Sequence, residues 1–240
     1  MLLEEVRDAT TWLTLDRPDR LNAFTGGDYL DLRVAIERAT ADPSARAIVM
    51  TGTGRAFSAG ADRSLVDGTA TPEDRRQAGA EFAALLAALS RCDKPVAAAV
   101  NGLAVGIGCT ILLHCDLVLL AESARLRLPF TALGIVPEAG SSVLLPARAR
   151  WGDVAWALLS SEWIDAQDAL HMGLAWRVVP DAELVEETER AVGTITAHDP
   201  AAVAATKRLL TAGRAELVRE AMAREYAELG ALLGGTAAGH

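Results

Sequence analysis

The stretch Pro95-Val96-Ala97-Ala98-Ala99-Val100-Asn101-Gly102-Leu103-Ala104-Val105-Gly106-Ile107-Gly108-Cys109 decides the fold. Its first part, Val96–Val100, is a short unbroken apolar run, the pattern of a strand buried on both faces of a parallel sheet. Asn101-Gly102 makes a turn, and a helix is expected over 107–114. The same punctuation recurs on either side. Residues 47–51 form a second apolar run that stops at Gly52-Thr53-Gly54, and Leu117–Ala121 forms a third. Strands alternating with helices predict a mainly parallel sheet with right-handed crossovers.

Upstream of this core, Leu2–Arg7 and Thr10–Leu15 read as two strands of a hairpin joined at Asp8-Ala9. Thr25 is placed to cap a helix over 28–40, on which Leu30, Val34, Ile36 and Ala39 recur at helical spacing. Thr71-Pro72-Glu73 opens another helix that runs to about Arg91, with proline where its missing N–H costs nothing. From about residue 149 helices dominate, over 153–160, 165–172, 181–197, 200–212 and 216–229, and only 176–179 reads as extended. The predicted class is α/β with a helical C-terminal region. The glycine-rich tail 234–240 is expected to fray.

Composition narrows the function. The 240 residues are 51% hydrophobic, enough for a sizeable core. A net charge of -9 argues against a nucleic-acid partner, because phosphate binding needs a basic surface. It leaves room for an anionic ligand held by a few arginines and helix N-termini. Cys92, Cys109 and Cys115 read as buried thiols in a reducing compartment. With His114, His171, His198 and His240 scattered, no metal-ligand spacing appears, so no metal is expected. The acidic start at Glu4-Glu5 does not resemble a signal peptide, and no apolar run is long enough for a bilayer. The chain is therefore expected to be cytoplasmic, with no membrane partner.

Two strand-to-helix segments can carry chemistry. One is Arg55-Ala56-Phe57-Ser58-Ala59-Gly60-Ala61-Asp62, whose small residues allow a ligand to approach the backbone. The other is the turn from Asn101 into Cys109, where unpaired N–H groups at a helix start can hold a negatively charged oxygen. One N–H from each would make an oxyanion hole. Taken alone, either segment is also what a glycine-rich packing turn looks like. Gly106-Ile107-Gly108 lacks the third glycine of a dinucleotide fingerprint.

Five segments in order then carry a resemblance. They are Leu15-Asp16-Arg17-Pro18-Asp19-Arg20-Leu21-Asn22-Ala23, Ala59-Gly60-Ala61-Asp62, Asn101-Gly102 through Gly106 to Cys115-Asp116, Gly134 through Pro137 to Ala139-Gly140, and Gly173-Leu174 through Val178-Val179-Pro180. Over nearly its whole length the chain resembles the enoyl-CoA hydratase/isomerase (crotonase) superfamily. The resemblance implies a spiral of ββα units, with an α/β core over 1–190 and a helical trimerisation region over 191–240. It implies acyl-CoA substrates, coenzyme A being part of the substrate with no separate cofactor, and a homotrimer or homohexamer. By position, the oxyanion donors would be the N–H groups of Ala61 and Ile107. Substrate contacts would fall at Arg20, Ala23, Ala59, Gly60, Asp62, Gly106 and Phe130.

The chain departs from a hydratase at two places. Where hydratases of this family carry catalytic glutamates, this sequence has Thr110 and Phe130. Adding water to a double bond needs one group to activate water and another to deliver a proton, so hydration should be poor. A different carboxylate follows in Pro137-Glu138-Ala139-Gly140-Ser141-Ser142. That segment resembles the peroxisomal-type Δ3,Δ2-enoyl-CoA isomerases, in which the glutamate after this proline is the catalytic base. Without the resemblance, Glu138 reads as a favourable charge in the first turn of a helix. Isomerisation of 3-enoyl-CoA with Glu138 as single acid/base is the expected function. The alternatives are another crotonase reaction, such as weak hydration or decarboxylation, and a non-catalytic acyl-CoA binder. Asp62 reads as a cap and Asp116 as a structural acceptor. Trp151, Trp156, Trp163 and Trp176 read as core or subunit-contact aromatics.

Overall fold

The computed structural model describes residues 2–67 and 69–235. The strands in chain order are β1 (Leu2–Arg7), β2 (Thr10–Leu15), β3 (Ala47–Gly52), β4 (Ala56–Ser58), β5 (Val96–Val100), β6 (Leu103–Val105), β7 (Leu117–Ala121), β8 (Arg125–Arg127), β9 (Trp163–Asp165) and β10 (Arg177–Val179). The helices are α1 (Gly26–Ala41), α2 (Arg63–Val66), α3 (Pro72–Arg91), α4 (Ile107–Thr110), α5 (Ser141–Arg148), α6 (Trp151–Ser160), α7 (Ala166–Met172), α8 (Leu184–Thr196), α9 (Pro200–Leu210) and α10 (Arg214–Gly235). Beyond Gly235, the tail expected to fray lies outside the described residues.

β1 and β2 form the expected antiparallel hairpin, closed by Asp8 and Ala9 at φ 45° and 61°. From β2 onward the main sheet is parallel, in the order β1-β2-β3-β5-β7-β10. A second sheet, β4-β6-β8-β9, was not legible in the sequence. Its three-residue strands are too short for a periodicity, and β9 falls between the segments 153–160 and 165–172 that read as helices, touching the second only at Asp165. From β3 to β8 the chain nevertheless alternates strictly between the two sheets. β3, β5 and β7 each enter the main sheet, and β4, β6 and β8 follow directly in the small one before a helix or turn leads back. This is the spiral of ββα units.

Thr25 caps α1 with Asp28 in a reciprocal capping box, and Thr71 does the same for α3 with Asp74. α1 packs on α3 through Tyr29, Leu32, Ala35, Ile36 and Ala39. The stripe expected through Leu30 and Val34 is displaced by one position, and Val34 is exposed. Asp116 is a structural acceptor, taking the Val96 N–H at 2.7 Å and pairing with Lys207 at 2.7 Å. On the opposite side α8 covers β5 and β7, burying Leu184, Thr188, Ala191 and Val192 as one stripe. The expected division at 190/191 falls inside that helix. Trp151, Trp156, Trp163 and Trp176 all lie at the surface of the chain, so none is a core residue.

Helix α4 is drawn against β4 of the small sheet at Gly108, where an added Cβ would stand 2.3 Å from the Ser58 carbonyl oxygen. Gly108→Ala should therefore destabilise the fold by about 1–3 kcal/mol, the usual range for overpacking. Urea unfolding checks this, and an unchanged midpoint would show that the contact relaxes freely.

Candidate active site

Three polar side chains fix the segments on which the site stands. Asn22, fully buried, accepts the Arg17 N–H at 2.8 Å and donates to the carbonyls of Ala56 at 2.8 Å and Thr53 at 3.0 Å. Asn101 accepts the Gly52 N–H at 3.1 Å and donates to Gly54 O at 3.0 Å. Ser58 Oγ donates to Asn22 O at 2.8 Å and accepts the Gly60 N–H at 3.1 Å. Backbone groups without a ladder partner are thus satisfied by side chains, as buried polar groups require.

Within this lacing the backbone turns sharply. Gly60 has φ +96°, and a Cβ there would meet Val105 O at 2.7 Å. Gly106, the N-cap of α4, has φ 55° and ψ -122°, a region open to glycine alone. Its N–H is held by Arg127 O at 3.0 Å. The next residue, Ile107, opens α4. Neither the Ile107 N–H nor the Ala61 N–H donates to another described residue. Both residues line one cavity of about 350 Å³.

Glu138 reaches that cavity from the loop before α5. Ala139 and Gly140, both left-handed at φ 61° and 69°, swing the chain round so that the helix begins only at Ser141. Glu138 is therefore not a first-turn helix residue. Thr110 Oγ1 donates to Glu138 Oε1 at 2.6 Å. Burial pushes the Glu138 carboxyl up to about 7, against the opposing hydrogen bond from Thr110 and with a further push from the charge of Glu225. Ala139 is held from the other side by His114, whose Nε2 lies 3.0 Å from Ala139 O. Burial drives the His114 imidazole down to about 4, so it is neutral and donates there.

Ala59, Gly60, Ala61, Gly106, Ile107, Phe130 and Glu138 meet around the one cavity. Arg20, Ala23 and Asp62 do not line it. Arg20 is exposed, and Ala23 is buried with its carbonyl accepting from Arg17. Asp62 caps α2 through Ser64 and pairs with Arg17 at 2.8 Å. The sequence reading missed Tyr29, Arg75, Phe82, Leu133 and Ile135, which supply other walls. Tyr29 and Phe82 are aromatics on the buried stripes of α1 and α3, 5.5 Å apart. Only the packing of those helices brings them to the site. Among the described residues no set of three His, Cys, Asp or Glu side chains is arranged to hold a metal. No described helix is long and apolar enough to cross a membrane.

Residues 5–230 match the enoyl-CoA hydratase/isomerase family, and the chain belongs to it. It is 37% identical, over 87% of its length and 80% of the relative's, to a Rhodobacter capsulatus protein named "Probable enoyl-CoA hydratase". To the 1,2-epoxyphenylacetyl-CoA isomerase of Escherichia coli it is 35% identical, over 79% of this chain and 73% of that one. The crystal structure of an enoyl-CoA hydratase/isomerase from Pseudoalteromonas atlantica superposes with a TM-score of 0.88 at 35% identity, covering 97% of this chain and 91% of that chain. The protein is thus an acyl-CoA thioester-processing enzyme of the crotonase superfamily.

The raised Glu138 carboxyl carries a stability consequence. With an ordinary value of 4.5 unfolded and about 7 folded, the folded state holds the proton more tightly. Its contribution is full below the unfolded value and is lost as pH rises through the folded one. Glu138→Gln should therefore melt higher than the wild type at about pH 8, with the gap closing toward pH 4.5. Thermal melts across that range check it, and a pH-independent gap would show that Glu138 is not held protonated.

Proposed function

We propose that the protein isomerises 3-enoyl-CoA to 2-enoyl-CoA, with Glu138 as the single acid/base. The observation that carries this reading is that Glu138 is the one acidic side chain among the described residues lining the cavity, in contact with Thr110 where a hydratase would have a second carboxylate. The thioester carbonyl oxygen accepts from the N–H groups of Ala61 and Ile107. The Glu138 carboxylate removes a proton from C2, and the electron pair delocalises through the C3–C4 double bond and the carbonyl to give a dienolate. The same carboxyl returns the proton at C4, leaving the double bond between C2 and C3. Two backbone donors aimed at the developing oxyanion would supply on the order of 3 kcal/mol each.

Relatives with similar identities are mostly named hydratases, and the isomerase among them is named for 1,2-epoxyphenylacetyl-CoA, so the reading rests on the side chains of the site and not on those names. The side chains favour isomerisation. Phe130, 3% exposed, offers no proton, and Thr110 is committed to Glu138. For assembly, we propose a trimer or a pair of trimers that covers the exposed Trp151, Trp156 and Leu159 of α6, with sedimentation as the check.

Glu138→Gln should lower isomerisation of 3-enoyl-CoA by about 10²–10⁴-fold, the usual scale for general acid–base catalysis, while a saturated acyl-CoA still binds. Turnover that survives the substitution would place the base elsewhere. In the wild type, kcat/KM should rise with pH to a plateau above about 7, because the base acts ionised. Hydration of crotonyl-CoA should be very slow. A rate equal to that of an ordinary hydratase would sink this reading.

A further inference from the structure

We infer that Glu225, on the C-terminal helix α10, is a positioning residue for Glu138 that both fixes its loop and places an anion beside it. The inference rests on the proposed role of Glu138 as the base.

The geometry is that of a helix cap supplied from elsewhere in the chain. α5 begins directly after the Glu138 loop and has no side-chain cap of its own. Its first N–H groups would be orphans. Glu225, 7% exposed, fills the gap: Oε2 accepts the Gly140 N–H at 2.9 Å, and Oε1 accepts the Ser142 N–H at 3.1 Å and the Ser142 hydroxyl at 2.6 Å. Both oxygens act as acceptors, the pattern of a carboxylate rather than an acid with its own O–H to place. α10 also closes on the loop by packing. A Cβ on Gly140 would sit 3.1 Å from Val218 Cγ1, and a small cavity of about 110 Å³ separates Glu138 from Met222, Tyr226 and Leu229.

The groups around Glu138 single Glu225 out electrically. Thr110 on α4 does not titrate. Burial pushes the Cys109 thiol up to about 12 and the His114 imidazole down to about 4, and it raises Tyr29 on α1 and Tyr226 on α10. All four are neutral near pH 7. Arg148 and Arg214 bear on His114, and Arg75 of α3 lines the same cavity. Glu225 is thus the anion that opposes ionisation of Glu138. A carboxylate that caps the loop and repels the base keeps Glu138 in place and its proton affinity high.

The test compares Glu225→Gln, Ser142→Ala and wild type. A glutamine cannot accept at both ends, and it carries no charge. The pH midpoint of kcat/KM should fall by roughly half a unit or more in Glu225→Gln, with kcat down at least about 10-fold and KM little changed. Ser142→Ala loosens the cap but leaves the charge, so kcat should fall while the midpoint stays. An unmoved midpoint in Glu225→Gln would overturn the inference, because a purely structural loss would lower kcat alone. If Glu225→Gln does not fold, Glu225→Asp decides, since it draws the carboxylate back by one methylene. A lower kcat with a lower midpoint supports the inference, and wild-type values for both overturn it. The titration of Glu138 followed by carboxyl 13C NMR gives the same midpoints without turnover. If wild type fails to isomerise 3-enoyl-CoA, the proposed reaction falls, and the NMR midpoints still decide the role of Glu225.

Discussion

The site depends on two backbone segments coming closer than side chains allow. An added Cβ on Gly60 would meet Val105 O, one on Gly102 would meet Arg55 O at 2.3 Å, and one on Gly108 would meet Ser58 O at the same distance. All three contacts join the β3–β4 unit to the β5–β6 unit. They set the start of α4 against the segment bearing Ala61, so that Ala61 and Ile107 share one cavity. An oxyanion hole made from main chain cannot be adjusted by rotamers. Its precision has to come from the scaffold, which here is a set of mainly parallel strands with glycine at these three contacts.

Polar groups brought inside by that approach then need partners. Asn22, Asn101 and Ser58 satisfy the turn amides and carbonyls, and the same logic governs the other wall of the cavity. There Glu138 sits in a left-handed turn held between His114 and Glu225. The carboxyl that burial pushes toward neutrality lies beside the hydroxyl of Thr110, which donates to it, and under the repulsion of the Glu225 charge. Such a loop stores electrostatic strain in one side chain, which persists because neighbouring packing over-determines the conformation.

How much of this was legible follows from the range of each interaction. The apolar runs of β3, β5 and β7 and the caps Thr25 and Thr71 are local, and each was read within a residue or two. The glycine turns marked both segments of the candidate oxyanion hole, since left-handed and close-approach positions favour glycine. The small sheet was invisible because three residues show no period. The aromatic wall of Tyr29 and Phe82 depends on α1 packing against α3, a contact across 53 positions that no local pattern encodes. Arg20, Ala23 and Asp62 were placed at the site by resemblance, yet the side chains of Asp62 and Arg17 are engaged with each other. The clamp from Glu225 spans more than 80 residues, and a glutamate within a long helix of many charges carries no mark of its role.

The Thr110–Glu138 contact explains why the departures from a hydratase go together. A glutamate at 110 would press a second carboxylate against the first where the Thr110 hydroxyl now stands 2.6 Å away, and two buried like charges at that distance cannot both ionise. Threonine instead donates to Glu138 and stabilises its ionised form, offsetting part of the desolvation. With Glu138 as the proposed base, the chain holds one proton-handling group where hydration needs two. Burial keeps the Tyr29 hydroxyl protonated well above neutral pH, and the lining is mostly apolar. On the proposed reaction, a proton lifted from C2 has few places to go except back to the substrate. Return to C2 is unproductive, and return to C4 completes the shift of the double bond. On that reading, a single base turns the absence of a second carboxylate into a preference for moving a double bond over adding water to it.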